Sequence, residues 1–307
     1  MFTDNYLNQT IYFMKKKFAV IDIGSNAIRF EISAFVAENG TPIFKRHEYI
    51  RFPLRLGQDV FSISRISEEK EEKFLRLIQV FKDLMGLYEV EAHIACATSA
   101  MRESENGKLI VSRVAKEIGI DIEVIDGDRE AYLINKGIER FIDKRKNMIH
   151  IDVGGGSTEI NIYSKGIKTA AHSFQLGTVR SLKGKSKQKE TEHLKNWIQE
   201  NTAKLKGVFC AIGTGGNINK MSELVIQKTK IATISLKELK NIYQVLNQLN
   251  LRDRILHYNF HEDRADVIVP AAQIYITAME AAQAQKITVP KVGLREGMLY
   301  ALYEEHL

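Results

Sequence analysis

Two stretches share one pattern: Phe18-Ala19-Val20-Ile21-Asp22-Ile23-Gly24-Ser25-Asn26, and Met148-Ile149-His150-Ile151-Asp152-Val153-Gly154-Gly155-Gly156-Ser157-Thr158-Glu159. Each is an apolar run of strand length carrying an aspartate near its end, then a glycine turn with hydroxyl or amide side chains, then a second β-rich run. The two aspartates stand 130 positions apart (152 minus 22). Glycine lacks Cβ, so the backbone at Gly24 and at Gly154 to Gly156 can bend tightly and bring its N–H groups close to an anion. Ser25, Asn26, Ser157 and Thr158 can add side-chain donors to phosphate oxygens. An aspartate just ahead of such a turn would repel phosphate unless a cation intervened, so Asp22 and Asp152 predict a shared Mg²⁺ that keeps most of its water. The duplication thus predicts two phosphate-gripping hairpins. A plain strand and Gly-Ser turn accounts for the first copy alone, and less well for the second.

On either side of the hairpins the chain alternates strand and helix, and the plan is written twice. Residues 17–50 read as three strands with a turn at Asn39-Gly40-Thr41-Pro42, followed by an amphipathic helix over 67–86 begun by Ser67 with acidic residues in its first turn. A strand (91–97), a helix (107–118), a short strand (121–125) and a helix (128–141) come next. The second half offers strands at 147–152, 158–164 and 166–174, a helix over 190–204 and a strand at 207–212. Helices follow over 216–225, 235–249, 263–284 and 293–306. Three strands and then mixed α/β, twice over, predicts two similar α/β domains with a cleft between them. Gly213-Thr214-Gly215-Gly216 ends a strand and opens a helix, where N–H groups and the helix dipole favour an anion or nucleotide. A plain strand-to-helix turn fits it equally well. Gly293-Leu294-Arg295-Glu296-Gly297 reads as a helix start with a surface ion pair.

Composition bounds the rest. The 307 residues, 44% hydrophobic and 27% charged, are those of a soluble globular protein large enough for two domains. No run approaches the roughly 18 apolar residues of a membrane span, and no signal peptide is visible at the N-terminus, so a cytoplasmic location without membrane partners is expected. Met14 before Lys15-Lys16-Lys17 resembles an alternative start. Cys96 and Cys210, each in an apolar run, read as buried free thiols rather than a disulfide or a metal site. His257 and His261 are four apart without supporting ligands, which argues against zinc. A net charge of +6 favours polyanionic partners. Lys183, Lys185, Lys187 and Lys189 read as a polar loop, either solvated surface or a track for an anionic chain. Nucleic acid is not expected, because basic residues are not interleaved with aromatics. A homodimer is compatible with the sequence.

Taken in order, these motifs resemble the exopolyphosphatase and guanosine pentaphosphate phosphohydrolase (Ppx/GppA) family, within the actin-like superfold. The match runs from about Lys17 to the C-terminus. It takes in Asp22-Ile-Gly-Ser-Asn26 with Arg29, Arg55-Leu-Gly57, Ala97-Thr-Ser-Ala-Met-Arg102 with Asn106, Gly127-Asp-Arg-Glu130-Ala131 and Asp152 to Glu159. Leu176-Gly177-Thr-Val-Arg180, Gly213 to Gly216, Arg264-Ala-Asp266 and Gly293 to Gly297 complete it.

The resemblance implies two actin-like (ribonuclease H-like) domains with an interdomain cleft, 14–134 and 135–292, with the C-terminal helix, about 293–307, available to pack on the first. It implies a hydrolase of phosphoanhydrides in which Glu130 is the base that deprotonates the attacking water. Asp22 and Asp152 would handle Mg²⁺ or Mn²⁺, the loops at Gly24-Ser25-Asn26 and at Gly154-Gly155-Gly156-Ser157-Thr158 would hold phosphates, and Glu159 would anchor water or metal. Arg102, with Arg29 as a weaker candidate, would neutralise phosphate charge, and Gly213, Thr214, Gly215 and Gly216 would complete the substrate contacts. Inorganic polyphosphate is the first expected substrate and guanosine pentaphosphate the second. Arg129 departs from the family's paired glutamates and should weaken the neighbouring base unless it points at the phosphate chain. Ala27 replaces a usual serine. The chain ends before the helical domain of longer members, from which a preference for shorter polyphosphates is expected. An ATP-driven kinase or actin-like ATPase, and a catalytically idle polyphosphate or alarmone sensor, are the readings of another class.

Overall fold

The structure is a computed structural model that describes residues 16–38, 41–183, 187–226 and 231–306. The expected alternative start at Met14, the turn at Asn39-Gly40 and the middle of the lysine loop (184–186) lie outside the described residues. The chain divides into two compact units. One runs through Gly137 and takes up the chain again from Leu294, and the other is Ile138–Gly293.

The first unit opens with β1 (Lys17–Ile23), β2 (Ile28–Glu38) and β3 (Thr41–Phe52), followed by α1 (Leu56–Ile63), α2 (Glu68–Leu87), β4 (Ala92–Ala97), α3 (Ser99–Glu103), α4 (Gly107–Ile118), β5 (Glu123–Val124) and α5 (Gly127–Ile138). Its sheet has the order β3-β2-β1-β4-β5, with β1 antiparallel to β2 and parallel to β4. That is the arrangement expected of an actin-like unit. Alternation decides the faces of β2: Phe30 and Ile32 are fully buried in the core, where Phe30 stacks on Phe81 of α2 at 4.5 Å. Ser67 precedes α2, whose first turn carries Glu68, Glu69 and Glu71 against the positive end of the dipole. Its hydroxyl is spent on Asp59 Oδ2 at 2.6 Å rather than on its own helix.

The second unit holds β6 (Asn147–Val153), β7 (Thr158–Ser164), β8 (Ile167–Phe174), α6 (Lys187–Thr202), β9 (Phe209–Thr214), α7 (Gly216–Val225), β10 (Ala232–Ser235), α8 (Leu236–Gln248), α9 (Leu251–Tyr258), α10 (Glu262–Ala265), α11 (Ile268–Ala281) and β11 (Lys286–Val289). Its sheet order is β10-β11-β9-β6-β7-β8. The helix expected over 263–284 is interrupted after Ala265. Pro270, with no N–H to donate, sits in the first turn of α11, where that donor is not missed. Lys187 and Lys189 belong to α6 rather than to a loop.

The closing helix, α12 (Leu294–Glu305), returns to the first unit and packs on β1, β3 and β4. Its Arg295 is not at the surface: it meets the buried Glu31 of β2 at 2.7 Å and its neighbour Glu296 at 3.1 Å. Burial pulls the Arg295 guanidinium down, but Glu296 and Glu31 more than compensate and leave its pKa raised.

Candidate active site

In the first unit the antiparallel register sets Asp22 opposite Arg29, and Arg29 Nη1 donates to Asp22 Oδ2 at 2.8 Å. Burial pulls the Arg29 guanidinium down while the Asp22 charge pushes it up, and the balance leaves it raised and therefore charged. Gly24 N donates to Ala27 O at 3.3 Å and closes the turn. Gly57 N donates to Ser25 O at 2.8 Å and Arg55 N to Asn26 O at 3.0 Å. In a planar trans peptide the carbonyl and the next N–H point in opposite directions. Tying down the oxygens of Ser25 and Asn26 therefore turns the N–H groups of Asn26 and Ala27 the other way. Ser25 Oγ lies 2.8 Å from Ser99 Oγ, so the hairpin is also joined to the start of α3.

Arg102, at the end of α3, donates from Nη1 to Ile125 O at 2.6 Å, just ahead of the helix that bears Glu130. Asp126 Oδ1 accepts from Arg129 N at 2.8 Å and caps α5, and Glu130 lies buried in its first turn. Arg129 turns toward Glu123, whose Oε1 is 3.2 Å from its Nε, and lies over Tyr132 at 5.5 Å. Cys96 is a free thiol, pushed up to about 12 by burial with help from Glu123 and Asp22, so it is not a nucleophile at neutral pH.

In the second unit a strap at 177–180 grips the triple-glycine turn. Thr178 N donates to Gly154 O at 3.0 Å, Val179 N to Gly155 O at 2.8 Å, and Arg180 Nε to Gly156 O at 2.7 Å. By the same trans-peptide geometry, the N–H groups of Gly155, Gly156 and Ser157 face away from the strap. Only glycine fits at 177, because a Cβ there would stand 2.3 Å from Gly156 C. Thr158 Oγ1 donates to Leu176 O, and the buried Glu159 accepts from Ser173 Oγ at 2.9 Å.

The loop Gly213-Thr214-Gly215-Gly216 runs beside Asp152, which pairs with Thr214 in the parallel register. Gly215 adopts φ 108°, and a Cβ there would meet Asp152 Oδ1 at 3.0 Å. Tyr275 OH, 3.3 Å from Val153 N, donates to Thr214 O, and Arg264 Nη1 donates to Gly216 O. Behind the loops His150, fully buried, is depressed by burial to about 3 and is neutral.

Residues 36–306 match the profile of the Ppx/GppA phosphatase family. The chain belongs to that family. Among curated relatives, the bifunctional 3-dehydroquinate synthase/phosphatase of Fusobacterium nucleatum is 30% identical over 261 residues, covering 76% of this chain and 39% of the relative. The guanosine-5′-triphosphate,3′-diphosphate pyrophosphatase of Photobacterium profundum is 25% identical over 303 residues, covering 93% of this chain and 59% of the relative. The chain thus spans less than two thirds of the length of both. The crystal structure of an exopolyphosphatase from Cytophaga hutchinsonii has the same fold, with a TM-score of 0.81 at 24% identity, covering 94% of this chain and 98% of that one.

Within this Ppx/GppA chain, no three His, Cys, Asp or Glu side chains among the described residues converge as a metal cage. Asp22 in the first unit and Asp152 in the second are each a hard oxygen donor ahead of a glycine turn, the donor chemistry of Mg²⁺ rather than of zinc. In the first unit the structure brings Asp22 to Arg29 and Arg102 to the head of the Glu130 helix; in the second it brings Asp152 to Gly215. Sequence reasoning gave no site role to the strap at 177–180, to Arg55 and Gly57, or to Tyr275. Leu176-Gly177-Thr178-Val179-Arg180 was visible as a motif, and the glycine was its signal. Tyr275 had none, being one apolar-face residue of a long helix.

Proposed function

We propose that this chain is a metal-dependent exopolyphosphatase that hydrolyses the terminal phosphoanhydride of inorganic polyphosphate and releases phosphate. The observation that carries the reading is the strapped glycine turn beside Asp152. Three successive carbonyls are tied back, so that successive N–H groups form a nest for phosphate oxygens. The transition state of such a hydrolysis is loose, and positioning with charge neutralisation does most of the work. In this reading the two glycine loops hold phosphate oxygens, Arg102 and Arg29 offset their charge, and Glu130 takes the proton of the attacking water. Arg129 is turned to Glu123, whose Oε1 lies 3.2 Å from its Nε. Asp22 and Asp152 would hold Mg²⁺ or Mn²⁺, which supplies further charge neutralisation when bound.

Guanosine pentaphosphate is the second substrate reading, favoured by the Gly213–Gly216 turn that opens α7 and by the pyrophosphatase named above. The test is phosphate release with Mg²⁺ from polyphosphate, guanosine pentaphosphate and ATP by wild type and Glu130→Gln. Polyphosphate turnover that falls about 10²- to 10⁴-fold in the variant is the expected result. A preference for the nucleotide would promote the second substrate, and binding without release from any substrate would make the chain a sensor.

A further inference from the structure

His150 of β6, Asn161 of β7 and Thr214 of β9 lie in the middle of the second unit's sheet, each at most 1% exposed. The register sets His150 opposite Asn161, Asp152 opposite Glu159, and Asp152 beside Thr214. Side chains alternate along a strand, so His150 and Asp152 share a face. Two polar rows result. Glu159, Asp152 and Thr214 form the one nearer the loops, and Asn161 with His150 forms the one behind it.

The imidazole joins the rows. Asn161 Nδ2 donates to His150 Nδ1 at 3.1 Å, which leaves Nε2–H to donate to Thr214 Oγ1 at 2.9 Å. Thr214 is held from its other side by Tyr275 OH on its carbonyl, and the next residue, Gly215, abuts the Asp152 carboxylate. The ring is thus bonded to Thr214, whose neighbour across the parallel register is Asp152. The sheet does not need these polar groups: Ile149, Ile151, Ile160 and Ile162 fill the same strands' other positions. Burying these groups is costly, and the cost is offset at both ring nitrogens and at Thr214 Oγ1 but not at Asn161 Oδ1, which is buried with no hydrogen-bond partner among the described residues.

We infer that His150 is a positioning residue that, through Thr214, fixes the Gly213–Gly216 loop beside Asp152 so that bound phosphate is held in the geometry for hydrolysis. The inference rests on the phosphate-binding reading of that loop. The ring acts as a fixed donor and acceptor, oriented by Asn161, and touches no substrate.

The test compares wild type, His150→Gln and His150→Leu in steady-state phosphate release, together with ¹⁵N NMR of the histidine side chains with and without inorganic pyrophosphate. Glutamine can both accept from Asn161 and donate to Thr214, and should keep most of kcat. Leucine should lower kcat by about 10- to 100-fold, with KM changed less. Pyrophosphate should shift the His150 ring nitrogens, identified by their loss in His150→Gln; a merely structural histidine, buried away from ligand, would not move. Leucine with wild-type kcat, or His150 resonances unmoved by pyrophosphate that binds, would overturn the inference alone. If His150→Leu does not fold, the glutamine variant and the wild-type spectra decide. A wild type that neither turns over any phosphoanhydride nor binds pyrophosphate would instead bring down the reading of the loop, and this inference with it.

Discussion

Gly177 shows how little freedom the triple-glycine turn has, since a Cβ there would lie 2.3 Å from Gly156 C and 2.4 Å from Gly155 O, both backbone atoms that cannot step aside. Gly177→Ala should therefore destabilise the second unit by about 1–3 kcal/mol, the usual cost of overpacking, in a denaturant titration. Phosphate release should fall further than stability, because the displaced atoms orient the nest. His150 carries a second prediction. Its folded value of about 3 lies below the unfolded 6.5, so its contribution is complete above pH 6.5 and is lost progressively as pH falls toward 3. Urea midpoints should drop as the pH is lowered through that window, and His150→Gln should flatten the slope; equal slopes would show that the ring is not the titrating group. At this scale the sequence offered Asp22, Glu130 and Asp152 with their loops, because each stands in a short, self-contained motif. It could not say where Arg129 points: that depends on Glu123, six residues back on another element.

Helix α5, which carries Glu130, is seated on α12 at a point of backbone contact. A Cβ on Gly297 would stand 1.8 Å from Leu133 O, and Lys136 and Glu304 pair across the same two helices. Gly297→Ala should force the helices apart, lowering the thermal midpoint and cutting kcat through displacement of Glu130. Lys136→Met, which removes the ion pair with the half-exposed Glu304 and the cation over the Tyr132 ring without adding bulk between the helices, should do much less. A Gly297→Ala enzyme with wild-type kcat would show that α12 does not position Glu130. Elements with strong local signals were legible. Helices α2, α4 and α7 lie within a residue or two of their expected ranges, because apolar periodicity, and for α4 the terminating Gly119, are encoded within the segment. Strands β10 and β11, four residues each, were not, since their only reason to be strands is the partner they pair with. The break after Ala265 follows from Pro270, a signal that was present but outweighed by the apolar run around it.

The whole chain carries a formal charge of +6, and its proposed substrate is a polyanion. Attraction of that kind is screened over about 10 Å at 0.1 M salt and much faster in concentrated salt. KM for polyphosphate should rise with ionic strength while kcat holds, and a KM independent of salt would mean that the field does not contribute to capture. Each unit has its own apolar core, around Ile21, Phe30 and Phe81 in the first and Ile151, Ile160 and Met279 in the second. The duplicated strand-and-glycine pattern by itself determined that there would be two such units, each with a glycine turn after its first strand, and the ordered motifs determined the family. These are legible because strand period, glycine conformation and turn chemistry act over a few adjacent residues. Only the tertiary structure decided that Arg295 returns to Glu31 across 264 positions, that the 177–180 strap orients the second nest, and that His150 underpins Thr214. Those contacts join residues that the chain keeps far apart, and they exist only once folding has paid the entropy of bringing them together.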